Sequence, residues 1–278
     1  WFRPVQMEVG PDGALYIADM YREVIEHPWS LPQGIKQHID LDSGNDRGRI
    51  YRIVPDIFVQ PALPALGQAT GAELVAALDH PNGWHRSTAA RLLYERQNQT
   101  AVAPLRRLAK RGKTDLGRMH ALHALAGLNA LAVEDVTAAM ADGSPVVRGH
   151  GVRLAEQFLP KRKPGVAGAA DEDKMILGHL VRLAGTRDSF VQYQLAWTLG
   201  TVDFPAKTEV LASLFRQAGA DYWQLPALFN ATTGRHGQLI DGLEADAALK
   251  ANPYRGMILK NLHAMKEGRL AQFVVPKK

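Results

Sequence analysis

Met140-Ala141-Asp142-Gly143-Ser144-Pro145-Val146-Val147-Arg148-Gly149-His150-Gly151-Val152 is the stretch on which the reading of this chain turns. Asp142 and Ser144 suit a turn and a helix N-cap, because a short polar side chain accepts the free N–H groups of a first helical turn. Pro145 suits the first helical position, where an N–H is not needed. Outward from this stretch, Val146-Val147-Arg148 has counterparts in Trp84-His85-Arg86, Leu116-Gly117-Arg118, Phe190-Val191-Gln192, Tyr222-Trp223-Gln224 and Pro253-Tyr254-Arg255. The anchors fall at positions 86, 118, 148, 192, 224 and 255, at successive intervals of 32, 30, 44, 32 and 31. The longest interval contains Pro160–Ala170, whose Pro, Gly, Lys and Ala composition is that of an inserted loop. Small or apolar residues recur three or four places after each anchor and often six or seven places after it, as in Ala121/Leu122/Leu125 and Leu195/Ala196/Leu199, which is a buried helical stripe. A partner helix precedes the anchors, at Ala72–Leu78, Ala103–Lys110, Val133–Met140 and Thr208–Arg216. A period near 31 built from two helices predicts a mainly α chain, an α-solenoid of about six helix pairs over residues 66–272.

Residues 1–55 have a different texture. Val5-Gln6-Met7-Glu8-Val9 alternates as a half-buried strand does, Gly10-Pro11-Asp12-Gly13 signals a tight turn, and Ala14–Asp19 returns. After a loop from about Tyr21 to Asp46, Gly48–Val54 alternates again. Three antiparallel strands make most of one β-propeller blade and cannot bury a face alone, so further sequence is expected upstream. Residues 56–65 then read as a linker and 273–278 as a tail.

Composition narrows the chemistry. The 278 residues contain no Cys, which removes disulfides, thiolate zinc sites, a Cys nucleophile and Cys-x-x-Cys-His haem attachment from this chain. No apolar run approaches the roughly 20 residues of a membrane helix. Of 33 basic and 28 acidic side chains, residues 1–55 hold 6 and 8, leaving a mild cationic excess in the helical part. The first residue is Trp, and the chain reads as a piece of a longer one.

On these residues rest two resemblances. The repeats resemble the short bacterial form of the HEAT repeat, over about Leu66–Gln272. Trp1–Asp19 resembles the closing segment of sorbosone- and glucose-dehydrogenase-like propellers. With Tyr21-Arg22-Glu23-Val24-Ile25-Glu26-His27-Pro28 and Gly44-Asn45-Asp46-Arg47-Gly48-Arg49-Ile50-Tyr51-Arg52-Ile53, the chain is similar to the large membrane-bound-dehydrogenase-type proteins of planctomycetes. Those run propeller, HEAT repeats, then a c-type cytochrome domain. The resemblance implies an exported, periplasmic redox protein that oxidises sugars or alcohols and passes electrons to haem c in a part absent here. It leaves a quinone cofactor or calcium at the propeller end open. The partners it implies are the chain's own propeller and cytochrome domains.

The same residues supply candidate sites. Asp19, Arg22 and His27 bring a carboxylate, a guanidinium and an imidazole to a propeller end, as substrate-binding groups, against the alternative that Asp19 caps its strand and Arg22 pairs with Glu23 or Glu26. Asp40-Leu41-Asp42-Ser43-Gly44-Asn45-Asp46 is oxygen-rich, but Tyr51 stands where a twelve-residue calcium loop needs its bidentate Glu, so an Asx-type turn is expected. In HEAT solenoids the second helix of each pair lines the concave surface. At 100° per residue, offsets two and five from the anchor point away from the core stripe. That face carries Arg91, His120, His123, His150, Arg153, Trp197 and Phe229, as a surface for a protein or polysaccharide. The histidines lack a carboxylate at a matching offset, so no metal is expected. A HEAT-like enzyme of the DNA glycosylase type is the alternative; the basic residues fade after Arg153, and no nucleic acid is expected. A di-iron hydroxylase needs His-Glu pairs, and no His-Glu dipeptide occurs. The chain is therefore read as a scaffold without chemistry of its own.

Overall fold

The computed structural model describes residues 1–22, 24–25, 27–159, 171–219 and 223–269. The insertion 160–170 with its Lys161-Arg162-Lys163 run, Glu23, Glu26 and the tail 273–278 lie outside the described residues. The chain divides into two compact units, residues 1–92 and 93–278.

The first unit opens with three strands, β1 (Pro4–Val9), β2 (Leu15–Asp19) and β3 (Arg49–Ile53), antiparallel in the order β1-β2-β3. The sheet is open, with β1 and β3 as its edges. Gly13 takes φ +83° in the β1–β2 turn, a conformation that costs glycine little. Asp12 organises this turn. Its Oδ1 accepts the Ala14 N–H at 3.0 Å, and its Oδ2 accepts from the Tyr16 hydroxyl at 2.9 Å and Arg52 Nε at 2.9 Å, tying β2 and β3 together. Register places Met7 beside Ile17 and Ile17 beside Tyr51, with Val9, Leu15 and Ile53 in the next row of the same face. Only Ile17 of these is buried; Met7 is 56 % and Ile53 53 % exposed. The sheet carries an apolar face that it does not itself cover.

A short helix, α1 (Gln33–Lys36), lies in the β2–β3 connection. Then come α2 (Gly71–Ala77) and α3 (Gly83–Arg96), the first helix pair. Thr70 and Glu73 form a capping box at the start of α2. The turn after α2 meets the hairpin: Asn82 Nδ2 donates to the Gly10 carbonyl at 2.8 Å, and His85 Nε2 lies 2.9 Å from the Pro11 carbonyl. Two polar side chains thus join sheet to helix pair.

The second unit continues the pairs: α4 (Val102–Arg111) with α5 (Asp115–Gly127), α6 (Val133–Met140) with α7 (Pro145–Ala155), α8 (Asp171–Leu183) with α9 (Ser189–Thr201), and α10 (Lys207–Gln217) with α11 (Gln224–Ala231). α12 (His236–Glu244) packs on α14 (Arg255–Lys266), with the short α13 (Ala247–Lys250) between them in sequence. First helices stack in one layer, α4 on α6, α6 on α8, α8 on α10, α10 on α12; second helices stack in the other, α5 on α7, α7 on α9, α9 on α11. One continuous apolar core runs between them from Leu122 to Leu262. The second unit is thus a solenoid of five helix pairs among the described residues, and the first unit holds the antiparallel β segment followed by α2 and α3.

The anchoring residues have a shared task. Arg86 donates to the His80 carbonyl at 2.7 Å, Arg118 to Gly112 at 2.9 Å, Arg148 to Asp142 at 2.9 Å and Gln192 to Thr186 at 2.7 Å. Each bond reaches back six positions and satisfies a carbonyl of the turn between paired helices, which needs a long donor at this place. Ser144 departs from its expected role: it occupies the N-cap of α7 but makes no capping bond. Its hydroxyl instead reaches Asp115 Oδ2 of the preceding repeat at 3.1 Å, while Asp142 Oδ1 accepts the Ser144 N–H at 2.7 Å. The hydroxyl proton thus goes to the carboxylate at the start of α5, an ionised acceptor that makes the bond a strong one.

Candidate interaction face

The second-helix layer of the second unit brings most of the expected face together. His120 and His123 stand on α5, His150 and Arg153 on α7, and Phe190, Tyr193 and Trp197 on α9. His123 Nε2 and His150 Nδ1 are 2.9 Å apart with their rings edge to face, so one ring donates its N–H and the other accepts. Burial, then the neighbouring His150, Arg153 and His120, lower the His123 pKa to about 4. Burial and then Arg153 hold His150 below the ordinary imidazole value as well. Both rings are therefore neutral at pH 7, when the pair shares its hydrogen bond without a charge.

Gly149 makes room for the next ring. A Cβ there would overlap the Phe190 ring at Cε1, so glycine lets α9's first aromatic lie against α7. The Phe190 ring lies obliquely beside His150 at 6.1 Å between centroids, and Tyr193 meets Trp197 edge to face at 6.3 Å. Behind them Thr198 donates to Glu156 Oε1 at 2.6 Å, joining α9 to the end of α7. Phe190 and Trp197 remain 43 % and 45 % exposed, although their helix neighbours Val191, Leu195, Ala196 and Leu199 are fully buried.

Phe229 does not belong to this face. It is buried in the core with its ring 5.3 Å from that of Phe215 on α10. Gln224, Leu225, Ala227, Leu228 and Ala231 are buried with it, so α11 is covered around most of its circumference and has no outward side at offset five. Arg91 lies on α3 in the first unit, exposed to solvent.

The three candidates near the sheet are each engaged locally. Asp19 is buried, and its Oδ1 accepts the Arg3 N–H at 2.7 Å and the Tyr21 N–H at 2.9 Å, fastening the open end of the β1–β2 pair, where β1 begins and β2 finishes. Arg22 donates to the Leu41 carbonyl at 3.1 Å and pairs with Asp42 at 3.3 Å. His27 Nδ1 accepts the Trp29 N–H at 3.2 Å. These bonds give each of the three its own local partners, while Asp19 Oδ2 and Arg22 Nε are buried without a hydrogen-bond partner. In the oxygen-rich loop, Asp40 Oδ1 accepts the Asp42 N–H at 2.9 Å, an Asx turn, and Asp46 lies beside Arg47. Among the described residues no group of three His, Asp or Glu side chains could hold a metal ion, and no helix is long and apolar enough to cross a membrane.

Sequence reasoning singled out the imidazoles and Trp197 but not Tyr193, nor the role of Phe190. The signal for the latter was Gly149-x-Gly151, two glycines inside a helix, which marks close approach of neighbouring elements.

Comparison with known families gives two matches. Residues 1–56 match the model of a domain of unknown function, DUF7133, and residues 71–156 match that of HEAT repeats. No curated protein matches the chain. The chain is thus a solenoid of helix pairs whose early repeats are similar to HEAT repeats, following a β segment similar to a family without an assigned role.

Proposed function

We propose that this chain is an interaction scaffold. Its second-helix layer presents Arg153, Phe190, Tyr193 and Trp197 to a protein partner, and its sheet packs against further β-structure outside residues 1–56. The observation that carries the first half is the pair of large rings, Phe190 and Trp197, held nearly half exposed beside an exposed guanidinium on a layer whose other apolar residues are mostly buried. The exposed apolar side chains of Met7, Tyr51 and Ile53 on one face of the sheet support the second half. By the resemblance of residues 1–53, the further β-structure is the rest of a propeller. The whole protein is then an exported, periplasmic dehydrogenase-like protein with a haem c domain, in which this segment sets the distance between propeller and cytochrome.

A nucleic-acid partner would require a continuous basic lining. On α5, α7 and α9 the cations other than the turn-closing Arg118 and Arg148 reduce to Arg153, among the described residues, beside neutral imidazoles and aromatic rings. The scaffold reading is tested in the full-length protein by placing a photo-crosslinking amino acid at Trp197 and, as a control on the other layer, at exposed Met175 of α8. A discrete crosslinked product from position 197 and not from 175 is expected. Equal yields at both positions, or none at 197, would reject this face.

A further inference from the structure

Besides their apolar packing, α5 and α7 are joined by polar side chains at two places along their length. At their N-terminal ends Arg118 grips Asp142 through two bonds of 2.9 Å, Nε to Oδ2 and Nη2 to Oδ1, and Ser144 donates to Asp115. Five positions further along α5, about 7.5 Å at 1.5 Å per residue, the facing surfaces are tied by the His123–His150 hydrogen bond. From this arrangement we infer an acid-operated hinge between the second and third repeats: double protonation of the His123–His150 pair separates α5 from α7 at that point, while the Arg118–Asp142 clamp stays closed as the pivot.

The chemistry is asymmetric in the two protons. A first proton leaves N–H⁺ facing N, a charge-assisted hydrogen bond that strengthens the contact. A second proton leaves two N–H groups, both cationic, where one acceptor is required, and the bond is lost. The charged and titratable groups acting on the pair are His120 of α5 and Arg153 of α7, both of which make a second positive charge costlier. From α9 the pair meets the Phe190 ring, which supplies no counter-charge. Around the pivot, burial opposes ionisation of Asp142, but the Arg118 bonds, the Ser144 N–H and the charges of Arg118 and Arg148 hold its carboxyl below the ordinary value, so it remains an anion when the imidazoles have become cations. The hinge would open toward the face that bears Phe190 and Trp197. It rests on the α5–α7 geometry and not on the scaffold reading, since it needs no partner.

The absence of cysteine makes the test direct. Spin labels on Lys110→Cys of α4 and Glu209→Cys of α10, both exposed, report the angle between repeats as a distance distribution. Between pH 7 and pH 4 the distribution should shift, with helical circular dichroism unchanged. The same pair of labels in a His150→Gln background, where a neutral amide replaces the titrating ring, should show no shift. An unshifted wild-type distribution at a pH where nuclear magnetic resonance shows both imidazoles protonated would overturn the hinge. So would an equal shift in the His150→Gln chain, or a shift that coincides with loss of helicity. If His150→Gln does not fold, His123→Gln serves as the neutral background with the same expectations.

Discussion

Asp142 ties two repeats of the second unit together. One carboxylate accepts two bonds from Arg118 of the preceding repeat and the N–H of Ser144, while its own carbonyl receives Arg148. Both members of the ion pair are largely shielded, at 17 % and 16 % side-chain exposure, so removing one strands the other. Asp142→Ala should destabilise the chain by about 2–3 kcal/mol, read as a lowered midpoint in urea, and Arg118→Ala should cost a similar amount. The double variant should cost less than the sum, because the pair is lost only once. The turn role of Asp142 was legible in the sequence from Asp-Gly-Ser-Pro, but its bond to Arg118 was not. Nothing in their separation along the chain says that an anchor arginine of one repeat meets the turn of the next. Phe229 shows the same limit: its helical offset matched Trp197's, and only the Phe215 ring from α10 decides that it is buried.

Among the elements, α7 is built for close approach. A Cβ at Gly151 would lie 2.8 Å from the Met140 backbone nitrogen and 3.0 Å from the Ala139 carbonyl carbon, atoms of α6 that cannot swing aside. At Gly149 the obstacle is the half-exposed Phe190 ring, which can. Gly151→Ala should therefore lower stability by about 1–3 kcal/mol. Gly149→Ala should be near neutral, the ring's displacement offset by alanine's better helix propensity. Gly178→Ala, on the exposed side of α8 with nothing within 4 Å of the added methyl, should raise stability by up to ~1 kcal/mol. Thermal unfolding of the three variants distinguishes these outcomes. Four first helices were readable with their bounds: Val133–Met140 matches α6, and Ala72–Leu78, Ala103–Lys110 and Thr208–Arg216 fall within one residue of the ends of α2, α4 and α10. The hairpin's attachment was not readable, because Asn82 and His85 join it through carbonyl oxygens, which have no periodicity.

At the scale of the whole molecule, acid should weaken the fold in two stages. His80, His123, His150, His179 and His236 all have imidazoles whose proton affinity is depressed, first of all by burial. The unfolded chain takes up these protons near pH 6.5. The folded chain does not, down to about pH 4 in the case of His123. The unfolded state thus binds more protons across that window, so stability is full above about pH 6.5 and declines as pH falls toward 4. The contribution of Asp142 has the same sign but a lower window, lost as pH falls below the ordinary carboxylate value. Urea midpoints at pH 7.5, 6.5, 5.5 and 4.5 should fall progressively, and His123→Gln should flatten the curve. A midpoint independent of pH over this range would contradict the burial of these rings.

The backward-reaching bonds from Arg86, Arg118, Arg148 and Gln192 have a consequence for how such a chain can change over generations. Each of these units carries its own closure, so copying or excising one would leave every remaining corner intact. Reach could then be lengthened or shortened in steps of one helix pair, like adding leaves to a table.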